Sequence, residues 1–306
     1  MLTITDNEIR SLGISPETCM EWIRTSFSLK NRSILPPKIS IHLHESDFFN
    51  TMPCLLPGEF DMFSVKVVSR IKSQKPALKS MMQLYRASTG ELLAMMEADW
   101  ITAMRTGAVA ALATETLECP GAGVYSFMGL GSTAFATMEC LAGHLAGKPC
   151  EIRLLRYKDQ AERFAERFSG RGFDFRIVGS AEELIRDADV VISCITRTDE
   201  LICPDERIFR PGVLVVPVHT RGFQNCDTVF DKVFADDTGH VSGFANFGKF
   251  RKFGELGDVL DGLVPGREDG RERILSYNIG LGLHDACFAY RILGLMEERE
   301  SCPANI

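Results

Sequence analysis

Residues 123–138 read Gly-Val-Tyr-Ser-Phe-Met-Gly-Leu-Gly-Ser-Thr-Ala-Phe-Ala-Thr-Met. An apolar run stops at Gly129, Gly131 and Ala134, and helix-compatible residues continue to Cys140, so the order predicted is strand, tight turn, helix. This is the setting of a G-x-G-x-x-A nucleotide loop. Gly129 permits the turn, Gly131 lets the backbone approach a pyrophosphate, and Ala134 lets the helix lie close to the strand with its amides facing the phosphates. Ser132 and Thr133 fall in the same turn and complete the expected cofactor-binding set. Three small residues alone also fit an ordinary strand-to-helix turn, so the surroundings decide.

Downstream, strands over 151–155, 173–178, 189–194, 213–218 and 232–235 alternate with helices over 159–168 and 181–186. That alternation predicts a parallel, doubly wound sheet and supplies the context the glycine loop needs. Upstream, Ser15, Pro16 and Glu17 start a helix whose apolar face holds Met20, Trp22, Ile23 and Phe27. Strands over 39–43, 63–68, 77–85 and 92–96 follow in a mostly antiparallel pattern, then a helix over 97–117. The long apolar segment Tyr277 to Leu293 is expected to return to this first region. The fold class is therefore α/β, a Rossmann sheet inserted in an α+β substrate-binding and dimerisation domain. The divisions expected are 1–118, 119–274 and 275–306.

The net charge of −7, with no run of basic residues, argues against a general nucleic-acid surface. No apolar run is long enough to span a bilayer, and the first residues lack the pattern of a signal peptide, so a cytoplasmic protein is expected. Ten cysteines are scattered without a C-x-x-C pair, which points to reduced thiols. A small molecule is the expected partner.

Several residues could carry chemistry. Lys66 sits in the strand Phe63-Ser-Val-Lys-Val-Val-Ser69, where a buried ammonium would need a partner; the plainer reading is a lysine turned outward. Arg105, in a helix, could hold a carboxylate through its planar fork or be a solvated charge. After the second Rossmann strand come Arg156 and Lys158, suited to a 2′-phosphate. They favour NADP(H), while Asp159 keeps NAD(H) possible. His219 lies at the carboxyl end of a parallel strand, as a proton carrier or a satisfied loop residue. His42 and His44 share one strand face, but Glu45 points the other way, so no metal site is expected.

Met52-Pro53, Ser64 to Ser69, Thr89-Gly90, Ile101-Thr-Ala-Met-Arg105-Thr106, the glycine loop, Ala188 to Ser193, Pro211-Gly212 and Asn278-Ile-Gly-Leu-Gly-Leu-His-Asp285 occur in this order. Together they resemble the ornithine cyclodeaminase and mu-crystallin family over nearly the whole chain. The resemblance implies a homodimer built on the first domain and NAD(P)-dependent chemistry at a carbon–nitrogen bond of an amino or imino acid. It implies that Lys66 and Arg105 hold the substrate carboxylate and reacting centre. Lys38 stands where the family usually has an arginine. Family cyclodeaminases carry an aspartate between the positions of Arg221 and Phe223, and none is present here. Ornithine cyclisation is therefore disfavoured, and Arg221 is expected to favour a second anionic group on the substrate. Asp285 reads as a helix-start or interface residue. The expected activity is an oxidoreductase interconverting an α-amino acid, acidic or N-substituted amino acids included, and its imine. A cyclodeaminase releasing ammonia, or a binding protein like mu-crystallin, are the alternatives.

Overall fold

The computed structural model describes residues 1–44, 47–195, 201–203, 205–220 and 222–301. It separates into two compact units: Met1–Arg105 with the chain from Leu281 onward, and Thr106–Gly280. The expected division points, after residues 118 and 274, differ from these. The first division falls inside the helix Asp99–Leu117 and not in the Pro-Gly segment after it. A helical residue joins whatever its side packs on. Arg105 bonds within the first unit, whereas a Cβ on Gly107 would meet backbone of Thr137 and Ala136 in the second at 2.5–2.6 Å.

In the first unit, strands β1 (Leu2–Ile4), β2 (Ile39–His42), β3 (Phe48–Leu55), β4 (Met62–Arg70), β5 (Leu78–Arg86) and β6 (Leu92–Glu97) form one sheet in the order β1-β6-β5-β4-β3-β2. All pairs are antiparallel except β1 with β6. Strand β3 was not expected from the sequence, and Pro53 is a residue seldom found in a central strand. It nevertheless runs through Pro53, which lies opposite Val65. In β4, Met62, Ser64, Lys66 and Val68 are buried and alternate with less buried neighbours, the two-residue period of a strand with one covered face.

The cover is helical. Pro16–Ser28 starts at Ser15, whose hydroxyl accepts the Thr18 N–H, and buries Trp22, Ile23 and Phe27. Cys19, not the expected Met20, completes that face. The C-terminal helix Gly282–Ser301 packs on this helix and on β3 and β4. Trp22 meets Phe288 edge-on at 5.1 Å between ring centroids. At the start of that helix a Cβ on Gly282 would stand 3.1 Å from the Pro53 carbonyl oxygen. Glycine there lets the first helical turn settle directly onto β3.

The second unit holds β7 (Val124–Met128), β8 (Glu151–Leu155), β9 (Asp174–Val178), β10 (Val190–Ser193), β11 (Leu214–Pro217), β12 (Lys232–Ala235), β13 (Phe253–Glu255) and β14 (Ile274–Tyr277). Their order is β13-β12-β14-β11-β10-β7-β8-β9, and every pair is parallel. This is the doubly wound sheet expected. Strands β10, β11, β12 and β14 are buried along their length, as a sheet covered on both faces requires. The winding reverses between β7 and β10, and the carboxyl ends of these two strands border the crevice where such sheets take ligands. No helix among the described residues is long and apolar enough to cross a membrane.

Candidate active site

The first unit brings two of the expected residues onto a third that was not expected to act. Lys66 Nζ donates to Asp285 Oδ1 at 2.7 Å, and Arg105 Nε donates to the same oxygen at 2.8 Å. Lys66 and Asp285 are fully buried and Arg105 nearly so. Asp285 stands at a helix start, one of the two places expected of it. It occupies the first turn of Gly282–Ser301, but its carboxylate is the common acceptor for two cations. The signal was present in the sequence as His284-Asp285, two polar residues inside an apolar helix start. Only the packing of that helix gives them partners, Ser26 for His284 and Lys66 of β4 with Arg105 for Asp285.

The charges do not cancel. Two cations on one carboxylate leave an excess positive charge when Lys66 is protonated, and half-buried Lys38 adds to the field Lys66 feels. Burial, then repulsion from Arg105, pushes the Lys66 ammonium down to about 7, with Asp285 working in the opposite direction. Arg105 Nη1 and Asp285 Oδ2 are buried without a hydrogen-bond partner. Unmet polar atoms at a buried, charged cluster are costly unless something is meant to fill them. A carboxylate is the group that answers the excess positive charge and the free guanidinium N–H.

Beside them His284 is also fully buried, and burial together with Arg105 pushes it down to about 3, so the ring is neutral near pH 7. Ser26 Oγ donates to the Ile23 carbonyl at 2.7 Å, so at 2.6 Å it must accept from His284 Nδ1. The tautomer therefore carries its proton on Nδ1. Nε2 is left as a bare, buried acceptor.

In the second unit, Gly129 has φ +75°, and a Cβ on it would lie 2.5 Å from the Ile195 amide nitrogen. Gly131 caps the helix Ser132–Leu145 with no side-chain hydrogen bond, and a Cβ there would meet nothing within 4 Å. Ala134 is fully buried, while Gly131 and Ser132 are exposed and Thr133 half-buried. An uncapped helix start behind an open glycine cradle fits a dinucleotide pyrophosphate. Past β10 and β11, His219 Nε2 and Ser193 Oγ are 2.6 Å apart, and the imidazole stacks on Phe223. Arg156 pairs with Glu162 at 2.5 Å on the surface, and Lys158, in left-handed backbone at φ +52°, lies over the Tyr157 ring. Arg221 lies outside the described residues.

A family model described as the ornithine cyclodeaminase/mu-crystallin family matches residues 4–299. Among curated relatives, the nodulation efficiency protein NfeD of Rhizobium meliloti is 27% identical over 277 residues, 86% of this chain and 84% of that protein. A Δ1-pyrroline-2-carboxylate reductase of Bacillus cereus is 26% identical over 314 residues, 94% of each chain. Among solved structures, the Δ1-pyrroline-2-carboxylate reductase of Thermococcus litoralis, in complex with NADH and L-proline, superposes with a TM-score of 0.85 at 23% identity, covering 98% of each chain.

Proposed function

The chain belongs to the ornithine cyclodeaminase/mu-crystallin family, and from that premise we propose that it is an NAD(P)H-dependent oxidoreductase interconverting an α-amino acid and its imine. The observation that carries this reading is the buried Lys66–Asp285–Arg105 cluster, with its excess positive charge and its unmet Arg105 Nη1. Lys66 and Arg105 receive the substrate carboxylate, and Lys38 adds to the attracting field. The nicotinamide, held through Gly129, Gly131, Ser132, Thr133 and Ala134, supplies or accepts the hydride at the substrate α-carbon. Fixing the carboxylate fixes where the α-carbon stands, and positioning lowers the barrier. His219, oriented by Ser193, is the proton carrier we assign to the second unit.

We assign NADP(H) as the preferred cofactor, because Arg156 and Lys158 follow β8 and no carboxylate precedes Asp159. Glu162, paired with Arg156, would yield that guanidinium to a 2′-phosphate. The test is loss of NADPH and NADH absorbance against cyclic ketimines and α-keto acids mixed with ammonia or amino acids, acidic members included. Turnover is expected with at least one imine, with NADPH favoured about tenfold or more, and Arg156→Ala should erase that preference. Ammonia release from a diamino acid with no net cofactor consumption would replace this reading by cyclodeamination.

The outer face of the first sheet supports a homodimer. Ile39, Ile41, Phe49, Val67 and Met81 are 57%, 59%, 38%, 37% and 42% exposed. Ile41 lies opposite Phe49 and Val67 opposite Met81, so they share one face across β2 to β5. An apolar sheet face of this kind marks an association surface. Introducing Val67→Glu with Met81→Glu should weaken dimerisation at least about a hundredfold, seen as a change from dimer to monomer by light scattering on a sizing column. A wild-type monomer, or a dimer indifferent to both charges, would refute this.

A further inference from the structure

Building on the proposed function, we propose that Asp285 is the residue that makes this site choose a nitrogen-bearing substrate over its oxygen or carbon counterpart, its free oxygen accepting the substrate N–H. A protonated imine presents a cation one bond from the carbon that carries its carboxylate. A pocket holding only Lys66 and Arg105 would attract the carboxylate and repel the nitrogen. The structure places one buried anionic group among those cations and uses only half of it. Oδ1 accepts from both Lys66 and Arg105, at 2.7 and 2.8 Å, while Oδ2, on the same fully buried carboxylate, has no partner.

A carboxylate needed only to neutralise the two cations would be better satisfied with each oxygen taking one. The shared Oδ1 leaves an acceptor that a ketone or an alkyl group cannot use and an iminium or ammonium can. Geometry and charge together describe a recognition element for a zwitterion: a carboxylate against Arg105 Nη1 and the lysine, an N–H against Oδ2.

The test compares nitrogen-bearing ligands with isosteres lacking the nitrogen: L-proline against cyclopentanecarboxylate, and L-aspartate against succinate. Calorimetry on the dinucleotide-loaded protein reads each affinity without requiring turnover. At least one amino acid should outbind its isostere about tenfold or more in the wild type. In Asp285→Asn, that ratio should fall to within about threefold, while the isostere binds at least as tightly as before. The ratio within one protein separates recognition from a general loss of fold, and if the variant does not fold, the wild-type preference still decides. No preference for nitrogen in either wild-type pair, or an unchanged ratio in Asp285→Asn, overturns the assignment. Failure of the oxidoreductase reading shows separately, as intact discrimination between these ligands without oxidation or reduction of any imine.

Discussion

Lys66→Met should lower kcat/KM for the imine by about a thousandfold, ~4 kcal/mol of transition-state stabilisation, while dinucleotide affinity stays within about threefold. Methionine suits the position. Lys66 lies between Met52 and Met82 in the sheet register, both buried, so the replacement adds a third thioether of similar length. Asp285 keeps Arg105 as its partner, which spares the fold an unpaired buried charge. What disappears is the ammonium that shares the substrate carboxylate with Arg105.

The pH profile gives the same role a second readout. Lys66 is held down to about 7 by burial and by Arg105. Its protonated form, which holds the carboxylate, predominates below that value and is lost as pH rises through it. Wild-type kcat/KM, which reports the free enzyme, should therefore fall on the alkaline side of about 7, and Lys66→Met should lack that limb. Activity within tenfold of wild type, or an unchanged alkaline limb, would remove Lys66 from the mechanism.

Gly131→Val should abolish cofactor binding without harming the fold, and Gly129→Val should harm both. A Cβ on Gly131 meets nothing within 4 Å, and the backbone there is extended, so valine fits the free protein. It would stand where the pyrophosphate must approach the uncapped helix start, and affinity should fall at least about a hundredfold, on the order of 3 kcal/mol. Valine at Gly129 must instead adopt φ +75° and press against the Ile195 amide, so its melting temperature should drop by several degrees. Fluorescence titration with NADPH and a thermal melt of each variant separate the two. Tight binding by Gly131→Val would mean that the loop does not cradle the phosphates.

Much of the second unit was readable because its signals are local. The turn at Gly129 depends on a backbone conformation that glycine adopts at little cost, and the strands announce themselves as short apolar runs between helices. Strand β3 was not readable in this way, since Pro53 is a local signal against a central strand that the neighbouring β2 and β4 override. The position of Arg105 in a helix was legible, but its partner was not.

By itself, then, the sequence determined the doubly wound sheet, the glycine loop and the helix starts, which rest on residues near one another along the chain, and the family, which rests on the order of short motifs from Met52 to Asp285. Tertiary structure alone decided that the helix Asp99–Leu117 is divided at Arg105, that Ser193 meets His219, and that Asp285 joins Lys66 and Arg105. Lys66 and Asp285 are 219 positions apart. No periodicity or propensity links residues so separated. Their pairing exists because burying the apolar face of the C-terminal helix on β3 and β4 carries both charges out of water, where Lys66 needs Asp285 and Asp285 draws on Lys66 and Arg105 together.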